Sequence, residues 1–240
     1  MTLYIGTSGW AYKEWKPEFY PAGLPQSRFL EHYTHTFNAC EINATFYRVQ
    51  PANVVARWAE VAPERFRFAA KAHRRLTYTK SLAPDEVMRS YIDEFMESLL
   101  PLGPRLGVVL LQFPAFRERD DTGLKRLLDA LPPEMRCALE FRHESWDAPE
   151  CRDLVAARGH AFCISDAEGR APERFPEGKF AYIRLRGEAY PEEARLRLRR
   201  SLAEEGRRRD IYVFAKHKGA AAGSEDSGVG LAVWLRDTAQ

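Results

Sequence analysis

Eight strand-like runs punctuate the chain, and helical patterns separate most of them. The runs are LYIGTSG (3–9), ACEINAT (39–45), FRFAAKA (66–72), LGVVLLQFP (106–114), RCALEFRH (136–143), HAFCISD (160–166), KFAYIRLRG (179–187) and DIYVFAKH (210–217). Over 85–100, Val87, Tyr91, Ile92, Phe95 and Leu99 recur at helical spacing behind a Pro-Asp-Glu start. Similar patterns predict helices over 25–37, 52–61, 124–131, 148–158, 192–205 and 231–236. Strand followed by helix, repeated in this way, points to parallel strands, because each parallel connection needs a crossover. Two architectures satisfy that rule: an open doubly wound sheet and a closed (β/α)8 barrel. The 240-residue length suits the barrel, which typically takes about 250 residues.

The alternation within the runs favours the barrel. Central strands of a doubly wound sheet are apolar on both faces. Here Glu41 and Asn43 alternate with Cys40 and Ile42, and Arg67, Lys71 and His73 with Phe66, Phe68 and Ala70. Gln112 ends a run of aliphatics. Glu140 and Arg142 alternate with Leu139 and Phe141, and Tyr182, Arg184 and Arg186 with Ile183 and Leu185. Polar side chains near the C-terminal ends of several strands, on one face each, would all face the axis of a closed barrel. That end is where barrels of this type carry their active sites. The fold expectation is therefore α/β, one TIM-type (β/α)8-like barrel domain over 1–240. The stretch AEGRAPERFPEG (167–178), rich in proline and glycine, predicts loop and irregularity after the sixth run.

The expected mouth carries Lys71, His73, Arg142, Arg184, Arg186 and Lys216 against Glu41, Glu140 and Asp166. Excess cation predicts a small anionic, phosphorylated-type ligand. Glu41 and Glu140 are the candidate acid–base pair, and Lys71 is a third candidate catalytic group, since desolvation and cationic neighbours lower an amine's pKa. Ser8, Trp10, Tyr12, Asn43, Thr45, Tyr47, Arg48 and Gln112 complete the expected substrate-binding set, with the aromatic members as stacking surfaces. The competing possibility is a buried ion-pair network that only fills the barrel.

Several classes find little support. No H-E-x-x-H or comparable spacing suggests a metal, and the neighbouring cations would repel one. Neither a Walker A nor a G-x-G-x-x-G is present, and no cofactor is expected. Ser8 lies in GTSGW rather than a nucleophile elbow. The four cysteines, 40, 137, 151 and 163, are scattered as core residues would be. A formal net charge of +2 neither requires nor excludes nucleic acid. No apolar run approaches a membrane span, and MTLYIGTSGW lacks a basic start before an apolar stretch, so the expected location is the cytoplasm.

GTSGW (6–10), W-x-x-x-F-Y-P from Trp15 to Pro21, EINATFYR (41–48), LGVVLLQFP, LEFRHESW (139–146) and YIRLRG (182–187) together resemble the domain-of-unknown-function 72 family, also called YecE-like. The blocks occur in family order. The resemblance implies a TIM-type barrel without implying an activity. A likeness between such barrels and endonuclease-IV-like proteins implies nucleic acid as an alternative partner, and a non-catalytic ligand-binding role is a further alternative. It points to Ser8, Trp10, Glu41, Asn43, Thr45, Phe46, Tyr47, Arg48, Lys71, Gln112, Glu140, Arg142, His143 and Arg184 as mouth positions. The last strand departs from the family's aromatic followed by an asparagine pair: Phe214, Ala215, Lys216 and His217 stand there.

Overall fold

The computed structural model describes residues 1–166, 175–217 and 219–237. Among the described residues all strand pairs are parallel, but the eight runs yield nine strands in two sheets. β1 (Leu3–Thr7), β9 (Asp210–Ala215), β8 (Phe180–Leu185) and β7 (Ile164–Asp166) form one sheet in that order. β2 (Ala39–Ile42), β3 (Arg67–Lys71), β4 (Leu106–Gln112), β5 (Cys137–Glu140) and β6 (Ala161–Phe162) form the other.

The two sheets meet at two seams, and the hydrogen-bonded ladder is continuous across neither. At one seam the sixth run divides its pairing: Ala161 and Phe162 pair with β5, while Ile164 to Asp166 pair with β8. Cys163 sits at the switch and donates its N–H to the Leu139 carbonyl at 2.8 Å. At the other seam, β1 meets β2 through a single bridge between Ser8 and Glu41. Side chains satisfy the remaining backbone groups there, as buried polar atoms require. Asn38 accepts from the Ile5 N–H at 2.8 Å and donates to the Leu3 carbonyl at 2.9 Å. The Tyr33 hydroxyl accepts from the Thr7 N–H at 2.8 Å and donates to the Ala39 carbonyl at 3.1 Å. This side-chain substitution is why alternation alone predicts a closed ring and the ladder is interrupted.

Gly6 makes that close approach possible. A Cβ placed on it would lie 1.9 Å from the Ala39 carbonyl oxygen and 2.7 Å from the Tyr33 hydroxyl. Gly6→Ala is therefore expected to force β1 away from β2 and cost about 2–3 kcal/mol. A lowered urea midpoint with unchanged m-value checks this, and an unshifted midpoint contradicts the seam's tight packing.

The helices cover the outside: α1 (Phe29–Thr36), α2 (Ala44–Tyr47), α3 (Ala52–Val61), α4 (Arg74–Thr77), α5 (Glu86–Leu99), α6 (Asp121–Ala130), α7 (Pro149–Ala157), α8 (Glu192–Glu205) and α9 (Gly228–Asp237). α5 and α6 start where carboxylates cap them, Asp85 on the Met88 N–H and Asp120 on the Gly123 N–H, each at 2.8 Å. Outward strand residues such as Ile42, Phe68, Val109, Leu139 and Ile183 join the core beneath these helices. Inward residues form a second cluster with an uneven filling. One sheet contributes Tyr4, Phe180, Tyr182, Tyr212 and Phe214, and the other contributes Ala39, Ala69, Ala138 and Ala161 with only Val108 and Leu110 larger. Large rings opposite small side chains fill the interior and let long groups reach across it. At the N-terminal ends of the strands, Arg67 lies over the Tyr4 ring and Arg136 over the Phe180 ring.

The predicted loop over 167–178 falls largely outside the described residues; 175–178 carry neither helix nor strand. All four cysteines are buried and unpaired. Among the described residues, no helix is long and apolar enough to cross a membrane.

Candidate functional site

The polar ends of β2, β3, β4, β5 and β8 converge inside the fold. Arg184 reaches across from β8 and grips Glu41 with two bonds, Nε to Oε2 at 2.9 Å and Nη2 to Oε1 at 2.8 Å. Its third nitrogen, Nη1, donates to Glu140 Oε2 at 2.6 Å. All three side chains are nearly sealed, with exposures of 2%, 0% and 2% for Arg184, Glu41 and Glu140. Tyr182, one turn of the pleat earlier on β8, donates its hydroxyl to Glu41 at 2.8 Å. Asn43 donates to the same carboxylate at 3.3 Å.

A chain of bonds leads outward from this centre. Gln112 donates its amide to Glu140 at 2.7 Å, which turns its carbonyl oxygen toward Lys71; the Lys71 ammonium donates to that oxygen at 2.8 Å. Lys71 also lies over the Phe46 ring, 4.0 Å from its centroid. The backbone beneath Lys71 is fixed by the Thr45 hydroxyl, which donates to the Lys71 carbonyl at 2.7 Å. Arg142 approaches Glu140 only to 3.5 Å and is partly exposed. Arg186 is half-buried, and among the described residues it forms no ion pair.

Electrostatics divide these groups. Burial pushes the Glu41 carboxyl up, but the Arg184 charge and the bonds from Arg184 and Tyr182 outweigh it and hold the pKa below the usual range. Glu140 is likewise lowered against burial, by Arg184 and Gln112. Both are ionised and fully engaged at neutral pH, which does not suit a proton-transferring acid. Lys71 differs: burial first, and then the neighbouring Arg184 charge, bring its pKa down to about 8. Burial and Arg184 also lower Arg186.

The other sequence-predicted positions are distributed as follows. Ser8 is buried beside Glu41, close enough for its hydroxyl to help hold that carboxyl low. Tyr12 donates to the Ser8 carbonyl at 2.7 Å and packs on Trp15 and His217, and burial pushes its hydroxyl up to about 12. Trp10 packs against Trp58 and Phe68, in the outer core. Asp166 accepts from the Arg186 N–H and from the Tyr190 hydroxyl, both at 2.5 Å, and so anchors the turn after β8. Lys216 is exposed just after β9. Tyr47, Arg48 and His73 line a separate cleft beside the mouth. His73 caps α4, its ring nitrogen accepting from the Arg75 N–H at 3.3 Å. Among the described residues, no group of three or more His, Cys, Asp and Glu side chains is arranged to hold a metal.

Tyr182 was not named as a site residue, although it shares the inward face of Arg184 by simple alternation and its position was readable. Phe46, a mouth position that the family resemblance implied, supplies the ring beneath Lys71 from a short helix.

The family described as "Protein of unknown function DUF72" matches residues 4–228. YunF of Bacillus subtilis is 31% identical over 183 residues, covering 71% of this chain and 64% of that protein. YecE of Escherichia coli K12 is 30% identical over 193 residues, covering 71% and 67%. The chain thus spans about two thirds of the length of these curated relatives. A DUF72 family protein (TM1631) from Thermotoga maritima has a TM-score of 0.78 at 25% identity, covering 99% of this chain and 98% of that one. A second (EF0366), from Enterococcus faecalis, has a TM-score of 0.79 at 14% identity, covering 99% and 95%. D-psicose 3-epimerase, with a TM-score of 0.56 at 10% identity over 98% and 90% of the chains, shares the fold alone. The chain belongs to the DUF72 family, the UPF0759 group of YecE and YunF.

Proposed function

We propose that this chain is an enzyme acting on a small, doubly charged anion such as a phosphate ester, with Lys71 as the proton-carrying group. The charge balance of the mouth supports this most directly. Glu41 and Glu140 face Arg184, Lys71, Arg142 and Arg186, an excess of two positive charges. Arg184 bonds both carboxylates and Arg142 pairs only loosely with Glu140, at 3.5 Å, so Lys71 and Arg186, with Arg142 beside them, are left to meet a ligand. In this reading Glu41 and Glu140 are positioning residues that orient Arg184 and Gln112. The acid–base role expected of them passes to Lys71, whose pKa of about 8 lies near neutrality.

Titration calorimetry with inorganic phosphate tests the ligand class. The wild type is expected to bind at one site, and Arg186→Met to weaken binding at least tenfold. Equal affinity in both would remove the anion site from the mouth. Incubation with a library of phosphorylated metabolites, read by mass spectrometry, tests catalysis. Turnover by the wild type and none by Lys71→Met, with phosphate binding weakened but still measurable, is the expected pattern. Phosphate binding without turnover by either would favour a non-catalytic ligand-binding protein.

A further inference from the structure

Beside the axial mouth, the segments after β2 and β3 enclose a second cleft of about 630 Å³. Arg48, Arg74, Arg75 and His73 line it together with Tyr47 and Tyr78. Several arginines elsewhere on this surface are tied to carboxylates, as in Arg28–Glu31, Arg57–Glu60, Arg119–Asp121 and Arg158–Asp129. Arg48, Arg74 and Arg75 are exposed, and among the described residues none of them forms an ion pair, although Glu94 also lines the cleft. Two are instead laid against rings: Arg75 is 4.9 Å from the Tyr91 centroid and Arg74 is 5.9 Å from that of Tyr78. A guanidinium stacked on a ring keeps its in-plane N–H donors free for an oxyanion.

The rings of this rim are unusually bare. Tyr47 is 73% exposed and Tyr78 42%, and Phe46 packs edge-on against both. Exposed aromatic faces beside unpaired guanidinium groups recognise a ligand with a flat ring at one end and a phosphate at the other. Three arginines against Glu94 leave an excess of two positive charges, which matches the charge of about −2 on a phosphate monoester, and the volume admits a nucleotide-sized molecule.

We propose that this cleft is a second site, separate from the axial mouth, that binds a nucleotide unit. Its phosphate lies on Arg48, Arg74 and Arg75, and its base against Tyr47 and Tyr78. The same chemistry is offered by a free nucleotide and by one residue of a single strand.

Titration calorimetry with adenosine 5′-monophosphate, adenosine, inorganic phosphate and a twelve-residue oligodeoxythymidylate tests the site. Adenosine monophosphate is expected to bind at least tenfold more tightly than adenosine. Arg74→Gln/Arg75→Gln is expected to weaken it at least tenfold, and Tyr47→Ser/Tyr78→Ser to weaken it at least fivefold. Arg186→Met, which disables the mouth, is expected to leave this affinity unchanged, so the two readings fail separately. Because phosphate alone also enters the mouth, its affinity is compared in the Arg186→Met background, where the nucleotide is expected to bind more tightly. Oligonucleotide binding tighter than mononucleotide identifies a strand as the source, and equal binding identifies the free nucleotide. The proposal is overturned if no nucleotide binds, if phosphate in the Arg186→Met background matches the nucleotide, or if well-folded cleft variants bind as the wild type does. Thermal melting of each variant establishes that it is folded.

Discussion

Arg184→Met is expected to destabilise the folded chain by about 3–5 kcal/mol, the usual loss when one partner of a buried ion pair is removed. Arg184 holds two carboxylates that are almost completely sealed from water, so nothing replaces the missing guanidinium. Urea unfolding at pH 7 measures the loss. The pH dependence identifies its cause. In the wild type both glutamates titrate below their usual value. Their contribution is therefore complete above the unfolded glutamate pKa of about 4.3 and is lost as pH falls through the lower folded values. Without Arg184, burial is opposed chiefly by the bonds from Tyr182 and Gln112 and by the Arg142 charge, so both pKa values are expected to rise. The variant should then gain stability as pH falls from 7 toward 5, the reverse of the wild type's acid limb. If Arg184→Met does not fold at pH 7, Arg184→Lys keeps the charge and is expected to recover part of the stability. A methionine variant as stable as the wild type at pH 7 would show that the carboxylates do not depend on Arg184.

The second large effect concerns Lys71. With a pKa of about 8, roughly a tenth of its amine is unprotonated at pH 7, against under about 0.1% for an ordinary lysine near 10.4. Lys71 should therefore be acetylated by acetic anhydride at pH 7 about ten times faster than exposed Lys80 or Lys125, even after allowance for the lower nucleophilicity of a weaker base. Peptide mass spectrometry after brief labelling reads the ratio. Inorganic phosphate should slow Lys71 selectively, because an anion in the mouth both covers the amine and favours its charged form. Labelling no faster than that of Lys80 would remove Lys71 from the proton-carrying role. The linkage sign is also fixed. The folded pKa lies below the unfolded one, so Lys71 costs stability at neutral pH and that cost disappears as pH rises from about 8 toward 10.4.

Much of this arrangement was legible in the residues themselves. Alternation along ACEINAT, RCALEFRH and KFAYIRLRG put Glu41, Glu140 and Arg184 on inward faces, because the side-chain period of a strand is two. Parallel pairing then brought those faces together. Helix boundaries such as 52–61 and 192–205 coincide with the elements observed, since proline starts and apolar spacing are local signals. What the residues could not supply was partnership. Nothing in the spacing says that one arginine holds both glutamates, and that pairing is the ground on which we propose Lys71, rather than a carboxylate, as the titrating group. Nor does local sequence tell that Trp10 turns outward onto Trp58, or that Tyr47, Arg48 and His73 leave the axis for a neighbouring cleft. Those positions follow strand ends, where alternation stops and the path of a turn sets direction. The interrupted ladder was equally hidden, because Asn38 and Tyr33 replace backbone bonds with side-chain ones.

Titration of the Lys71 side chain by NMR, followed through its ¹³Cε shift with and without inorganic phosphate, decides whether an anion-binding mouth holds Lys71 near neutrality. The expected midpoint is about 8 in the free protein, with an upward shift when phosphate is added. A midpoint near the ordinary 10.4, unmoved by phosphate, would contradict it.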